Sequence, residues 1–261
     1  MLKNGHFLAF DTSTDMMSIA LTDGRRIWQH TGPGGAKAST TLIPAVLALL
    51  SEAGLALGDL QAIAFGRGPG SFSGLRTACA VAQGLAFGAN QGAGIPVLPI
   101  DTLMAVAEEA RFQSDPGVQR ITALLDARMN EMYVQRYTLN RGVLLADGYC
   151  ELIRPENLPV DAAAQLFAGN VFTVYADKLP QNLTTLTCLP TATALLRLVP
   201  ALAASGHCVR AELALPLYVR DKVALTTEER DQVKLAKAQA TQHSAAEAPV
   251  TAAPVTAAPV N

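Results

Sequence analysis

The sequence predicts an α/β protein built from two lobes that share one plan. An apolar run at residues 7–11 ends on Asp11 and is followed by a polar turn and further strand patterns. Strand and helix patterns then alternate, which is typical of α/β folds. A second apolar run, at residues 121–125, ends on Asp126 and is again followed by a turn and a strand. Because the opening order repeats, we expect a duplicated α/β lobe.

The first lobe is predicted at residues 1–112, and it begins as a meander of three antiparallel strands. The later strands alternate with helices that have long apolar faces. Ser39 or Thr40 is expected to cap the first helix, and Gly54 to end it. The predicted strands are 7–11, 17–22, 25–30, 60–65 and 95–100, and the predicted helices are 39–53, 73–88 and 101–112.

The second lobe is predicted at residues 113–226, and an apolar segment at 213–220 closes it. After it, residues 227–261 have little apolar surface to bury, and the pentapeptide Ala-Pro-Val-Thr-Ala occurs twice, at 248–252 and 253–257. This composition predicts a disordered tail. In this lobe the predicted strands are 121–125, 131–137, 143–151 and 171–176, and the predicted helices are 161–169 and 192–205.

The composition predicts a cytoplasmic protein that binds neither metal nor membrane. The net charge is −2, from 20 Lys+Arg against 22 Asp+Glu, so no broad basic surface is offered to nucleic acid. The four cysteines form no Cys-x-x-Cys pair, and the four histidines never fall at a metal-binding spacing. Apolar runs stay below the roughly 18 residues that a membrane-spanning helix needs.

Residues 66–76 read Gly-Arg-Gly-Pro-Gly-Ser-Phe-Ser-Gly-Leu-Arg and lie where a strand pattern passes into a helical one. Glycine lets a phosphate or another backbone come close, so this stretch fits either a nucleotide loop or a close-packing turn. It matches neither the P-loop nor the dinucleotide-binding pattern, and the small-residue helix that follows favours the packing turn. The candidate nucleotide-binding residues are Asp11, Thr12, Ser13, Gly68, Gly70 and Ser71.

The helices at 39–53 and 73–88 are apolar over such a wide arc that we expect each to be covered on two sides. The core of the lobe explains one side, and a partner subunit would explain the other. On the first helix, Ile43 and Leu47 extend the apolar surface onto an adjoining face. The predicted partner interface comprises Leu42, Val46, Leu49, Leu50, Leu75, Cys79, Ala82, Leu85 and Ala86.

Four motifs together resemble the TsaB (YeaZ) family. They are Phe10-Asp-Thr-Ser-Thr14, the glycine stretch 66–76, Asp126-Ala-Arg-Met-x-Glu131 and the closing Pro216-Leu-Tyr-Val-Arg220. The resemblance covers residues 5–222 in the family's order. It implies the fold shared by actin, sugar kinases and Hsp70 (the ASKHA fold), with two ribonuclease-H-like lobes. The remaining motif residues of interest are Gly74, Arg76, Asp126 and Arg128.

The resemblance also implies a function in tRNA modification. A member of this family supports the formation of N6-threonylcarbamoyladenosine at position 37 of tRNA, as the non-catalytic scaffold of a TsaD-like transferase. The expected partners are that transferase and a TsaE-like ATPase, and the chain alone is expected to form a homodimer through the same helices of its first lobe. The complex, rather than this chain, would contact tRNA. No cofactor is expected on this chain, since ATP or ADP would be held mainly by the partners.

The catalytic relative carries a metal-binding His-x-x-x-His just after the strand that follows the glycine-loop helix. Here Thr102 and Val106 occupy those two places, and neither side chain ligates a metal as imidazole does. We therefore expect no catalysis by this chain. A separate departure from the family is Ala38, at the start of the first helix, where many members have a histidine; a shared polar contact is not expected there. The alternative left open is an ASKHA-fold small-molecule kinase or ATPase that acts alone, with Asp11 and Asp126 placing a metal nucleotide between the lobes.

Overall fold

The structure, a computed structural model, describes residues 5–160 and 165–220. The strands of this part are β1 (Phe7–Asp11), β2 (Met16–Thr22), β3 (Ile27–Pro33), β4 (Ala62–Gly68), β5 (Val97–Asp101), β6 (Arg120–Asp126), β7 (Met132–Asn140), β8 (Val143–Ile153), β9 (Leu166–Gly169) and β10 (Thr185–Thr187). The helices are α1 (Ala38–Ala53), α2 (Phe72–Gly88), α3 (Thr102–Gln113) and α4 (Ala192–Ala204). None of these four helices is long and apolar enough to span a bilayer.

The strands form two five-stranded sheets with matching plans. In the first sheet the order is β3-β2-β1-β4-β5, and β1 is antiparallel to β2 and parallel to β4. In the second sheet the order is β10-β9-β6-β7-β8, and β6 is antiparallel to β7 and parallel to β9. The central strands β1 and β6 therefore correspond, and each ends on an aspartate. The predicted α/β fold with two ribonuclease-H-like lobes is confirmed.

Helices cover both faces of the first sheet. Helices α1 and α2 pack on the face that carries Phe10, Ile19 and Phe65. On the opposite face α4 contacts β1 and β2, while α3 contacts strands of both sheets. One apolar core therefore continues from the first sheet through α3 and α4 to the second sheet. The predicted lobe boundary after residue 112 stays a prediction, because it falls within α3.

Two predicted elements of the second lobe are wrong. Leu166–Gly169, predicted as the end of a helix, is strand β9, and residues 161–164 of that predicted helix lie outside the described residues. All four residues of β9 are buried, and parallel pairing with β6 satisfies their backbone groups. The predicted strand at 171–176 is instead a run of turns, which packs Tyr175 onto the outer face of the second sheet.

The end of α1 is as predicted, but its beginning is not. Gly54 ends the helix with a φ of 68°, a left-handed conformation that favours glycine. At the other end, the helix starts at Ala38 directly after a short 3-10 turn, and Ser39 donates its hydroxyl to the carbonyl oxygen of Ala36. The predicted cap by Ser39 or Thr40 is therefore wrong. The predicted tail at 227–261 lies outside the described residues.

Candidate functional site

Asp11, at the end of β1, is fully buried at the centre of a polar turn. Its Oδ1 accepts hydrogen bonds from the backbone N–H of Ser13 at 2.8 Å and from the Ser13 hydroxyl at 2.6 Å. Its Oδ2 accepts a weaker hydrogen bond from Oγ1 of Thr102 at 3.4 Å. Burial raises the pKa of Asp11 to about 6, although these hydrogen bonds act in the opposite direction. The carboxyl group is thus enclosed by its own chain.

The glycine stretch, which begins in the last residues of β4, encloses this turn from the other side. A Cβ atom at Gly66 would overlap Oδ2 of Asp11, and a Cβ atom at Gly74 would overlap the carbonyl oxygen of Thr12. A Cβ atom at Gly70 would lie 2.6 Å from the carbonyl oxygen of Ser13, closer than non-bonded atoms approach. Glycine is therefore required at these positions because another part of the same chain fills the space.

Hydrogen bonds tie the stretch to the same turn. The backbone N–H of Ser71 donates to the carbonyl oxygen of Ser13 at 2.7 Å, and Oγ1 of Thr12 donates to the carbonyl oxygen of Gly74 at 2.7 Å. The N–H of Gly68 donates to Oγ1 of Thr102 at 3.1 Å. The structure thus brings the six sequence-predicted nucleotide-binding residues together, but it joins them to their own chain. This geometry favours the close-packing turn over the phosphate loop.

The corresponding turn after β6 is closed by different residues. Oδ1 of Asp126 accepts hydrogen bonds from the Tyr175 hydroxyl at 2.7 Å and from the backbone N–H of Arg128 at 2.8 Å. The Arg128 guanidinium lies 3.2 Å from Oδ2 of Asp126 and 2.9 Å from Oδ2 of Asp15, which belongs to the first turn. Arg128 therefore connects the two turns. Sequence reasoning missed Tyr175, since nothing local marks a tyrosine that meets Asp126 only in the fold.

The residues predicted as a partner interface form the core-facing side of α1 and α2. Eight of the nine are buried against the first sheet in this chain alone, and Leu85 is half-buried. Their side chains pack inside the lobe, so these eight side chains are not exposed for contact with another subunit. The eight buried residues are Leu42, Val46, Leu49, Leu50, Leu75, Cys79, Ala82 and Ala86.

The opposite sides of α1 and α2 form an exposed surface that we call the helical face. It includes Ile43, Leu47 and Phe87, which are 43%, 52% and 68% exposed. The two helices together contain one acidic residue, Glu52, and one basic residue, Arg76. A surface this poor in charge and this rich in large apolar side chains is typical of a protein interface.

Motif residues at the start of α2 hold the closing segment 213–219. The guanidinium of Arg76 lies 4.6 Å from the ring centroid of Phe72, which in turn lies 5.3 Å from that of Tyr218. Farther along α2, Cys79 donates from Sγ to the carbonyl oxygen of Ala214 at 3.2 Å. These contacts give Arg76 and Cys79 structural functions within the chain.

Comparisons with known proteins agree with this architecture. The family model described as "TsaD: tRNA N6-adenosine threonylcarbamoyltransferase" matches residues 32–257. Two proteins named tRNA threonylcarbamoyladenosine biosynthesis protein TsaB are similar to the chain. The one from Haemophilus influenzae is 41% identical over 133 residues, which are 51% of this chain and 53% of the relative. The one from Escherichia coli K12 is 38% identical over 130 residues, which are 50% of this chain and 54% of the relative.

The chain spans about half the length of these curated relatives that it matches. A solved structure of YeaZ from Pseudomonas aeruginosa is similar over a longer range. It has a TM-score of 0.74 and 39% sequence identity, and the match covers 82% of this chain and 100% of that one. The chain belongs to the TsaB (YeaZ) family, within the wider family that the TsaD model describes.

Proposed function

We propose that this chain is a non-catalytic subunit that supports a TsaD-like transferase in forming N6-threonylcarbamoyladenosine at position 37 of tRNA. The observation that carries the proposal is the helical face, which is apolar and poor in charge, on a chain whose relatives are named for the biosynthesis of this nucleoside. A subunit that acts by association needs such a surface, whereas an enzyme that acts alone does not.

The residues at the two positions where the catalytic relative has its metal-binding histidines support a non-catalytic subunit. Thr102 is fully buried, accepts from the Gly68 amide and donates to Asp11, so it serves to close the first turn. Val106 is fully buried in the apolar core shared by the two sheets. Neither position offers an imidazole or a carboxylate to a metal ion.

The turns themselves favour this proposal over a kinase or ATPase that acts alone. Phosphoryl transfer needs carboxylates that hold a metal ion beside the nucleotide. Asp11 is instead enclosed by Ser13 and Thr102, and Asp126 is bonded to Tyr175 and Arg128. ATP would then be bound by the partner subunits, the transferase and a TsaE-like ATPase, and tRNA would be reached through the assembled complex.

Depletion of the protein tests the function directly. We expect N6-threonylcarbamoyladenosine in bulk tRNA, measured by mass spectrometry of nucleosides, to fall when the protein is depleted and to recover when it is supplied again. An unchanged nucleoside level after complete depletion would contradict the proposal.

The helical face is tested by Leu47→Glu, which puts a charge on its exposed centre. We expect the variant to weaken co-purification with the TsaD-like partner by at least about tenfold, because a central apolar contact carries much of the binding energy. Leu145→Glu is the matched control, since Leu145 is 47% exposed on β8 of the other sheet. Equal binding by both variants would exclude this surface. Glutamate at Leu50 or Cys79 is no test, because both side chains lie in the core.

A further inference from the structure

A cavity of about 250 Å³ lies where the ends of β4 and β5 meet the hairpin of β7 and β8. It is separate from the helical face and includes neither Asp11 nor Asp126. Its apolar wall comes from Pro69, Leu103 and the closing segment. The residues of its polar wall are Arg67, Asp101, Gln135, Tyr137 and Cys150.

Tyr137 carries a polar group into this cavity without a protein partner. The residue is 2% exposed, and its hydroxyl makes no hydrogen bond with the described residues. The residue lines the open space of the cavity, where water or a bound molecule can supply the hydrogen bond that the hydroxyl lacks. The cavity therefore presents a hydrogen-bonding group that a bound molecule would satisfy.

Arg67 and Asp101 add one charge of each sign to the same wall. Nε of Arg67 donates to Oδ1 of Asp101 at 2.5 Å, which leaves the guanidinium Nη groups and Oδ2 of Asp101 without a hydrogen bond to the described residues. Asp101 precedes α3 but makes no side-chain capping bond to it. Each charged group thus keeps atoms for a ligand of the opposite sign.

The charge and size of the cavity restrict the class of ligand. The Arg67–Asp101 pair is neutral as a whole, and burial raises the pKa of the Tyr137 hydroxyl and raises the pKa of the Cys150 thiol to about 12, which keeps both uncharged. A phosphate dianion would meet a single compensating cation here. The volume of about 250 Å³ lies just below the usual range for drug-sized ligands. A small molecule with one positive and one negative group fits these limits.

We propose that the cavity binds a free α-amino acid with a small or apolar side chain. Its carboxylate would accept from the Arg67 guanidinium and the Tyr137 hydroxyl, its ammonium group would donate to Asp101, and its side chain would lie against Pro69 and Leu103. This proposal does not depend on the proposed function, since it concerns a different part of the chain.

Titration calorimetry on the full chain tests the proposal with L-serine, L-valine and L-leucine up to about 10 mM, where even a millimolar complex forms largely. We expect at least one of them to bind. For leucine-shaped probes, L-leucinamide lacks the carboxylate and 4-methylpentanoate lacks the ammonium group. If leucine binds, each should bind at least about tenfold more weakly, because each loses a charged hydrogen bond. If serine or valine is the ligand, its own amide and its own deaminated acid serve in the same way.

Two variants locate the binding. Tyr137→Phe removes only the hydroxyl and should weaken binding about fivefold, whereas Tyr218→Phe removes a tyrosine hydroxyl outside the cavity lining and should leave it unchanged. Ala146→Met, opposite Tyr137 on β8, should abolish binding by filling the cavity. Circular dichroism would establish that the variants are folded. Three results would each overturn the proposal: no binding of any of the three amino acids, binding of the amide and the deaminated acid as tight as that of the parent amino acid, or full binding by Ala146→Met.

Discussion

Replacement of Asp11 by asparagine tests how the first turn is closed. The pKa of Asp11 is about 6 in the folded chain against 3.8 for an exposed aspartate, chiefly because burial disfavours the charged carboxylate. Between about pH 4 and pH 6 the folded chain therefore retains a proton that the unfolded chain has released. The contribution of Asp11 to the free energy of unfolding is largest below pH 4 and falls as the pH rises through 6. Asparagine removes this titration.

The difference between the two pKa values corresponds to about 3 kcal/mol. Asparagine keeps an oxygen that accepts from Ser13, and any fixed loss of packing is the same at every pH. Because part of this difference falls below pH 4, we expect the free energy of unfolding of Asp11→Asn, relative to wild type, to increase by about 2.4 kcal/mol from pH 4 to pH 7. The measurement is urea unfolding of both proteins at intervals of one pH unit.

Asp23→Asn provides a control of opposite sign. Hydrogen bonds from the backbone N–H groups of Arg26 and Arg25 lower the pKa of Asp23, so its contribution to stability is present at higher pH and is lost on acidification. The stability of Asp23→Asn relative to wild type should therefore fall, not rise, as the pH increases. If Asp11→Asn and wild type gave parallel stability curves, the enclosed and partly protonated carboxyl group would be refuted.

Two further predictions use matched pairs, each measured by urea unfolding of the isolated chain. Gly74→Ala should destabilise the chain by about 2–3 kcal/mol, because the added Cβ atom clashes with the first turn. Gly84→Ala has open space around it and should stabilise α2 by about 0.5–1 kcal/mol. Equal effects of the two substitutions would contradict the close-packing turn. Arg197→Met should cost about 3 kcal/mol, since it removes the guanidinium that lies 2.6 Å from the nearly buried carboxylate of Glu109 and joins α4 to α3. Arg210→Met, in an exposed pair, should change stability by less than about 0.5 kcal/mol, and a similar loss in both would argue against the buried network.

The duplicated plan of the fold was predictable because it depends on local sequence patterns. Each lobe opens with a buried strand that ends on aspartate, and the polar turn after it allows only a hairpin with the next strand. The packing function of the glycine stretch was also predictable, since the small-residue helix after it favours close contact. What the stretch packs against, the carbonyl groups of residues 12 and 13, depends on the pairing of β1 with β4.

Which side of α1 and α2 packs against the sheet and which stays exposed was not predictable in the same way. Leu42 and Leu47 are equally apolar, and hydrophobic periodicity does not say which of two apolar faces meets the sheet. The tertiary structure determines which face is buried: Leu42 lies in the same apolar core as Phe10 and Phe65, whereas Leu47 is exposed to solvent. Strand β9 escaped prediction for a related reason, since four apolar residues fit a buried strand and a helix end equally well.

The two lobes close their corresponding aspartate turns by different means, and this difference bears on function. Asp11 is enclosed by glycine backbone and has no basic group among its hydrogen-bond partners in the described part of the chain, so burial raises its pKa to about 6. Asp126 is bonded to Tyr175 and paired with Arg128, which extends to the first lobe at Asp15. A metal nucleotide between the lobes would have to displace both arrangements at once, and each is built from residues that also hold a strand end in place. Closure of both turns by the chain's own residues therefore argues against an open cleft for phosphoryl transfer between them.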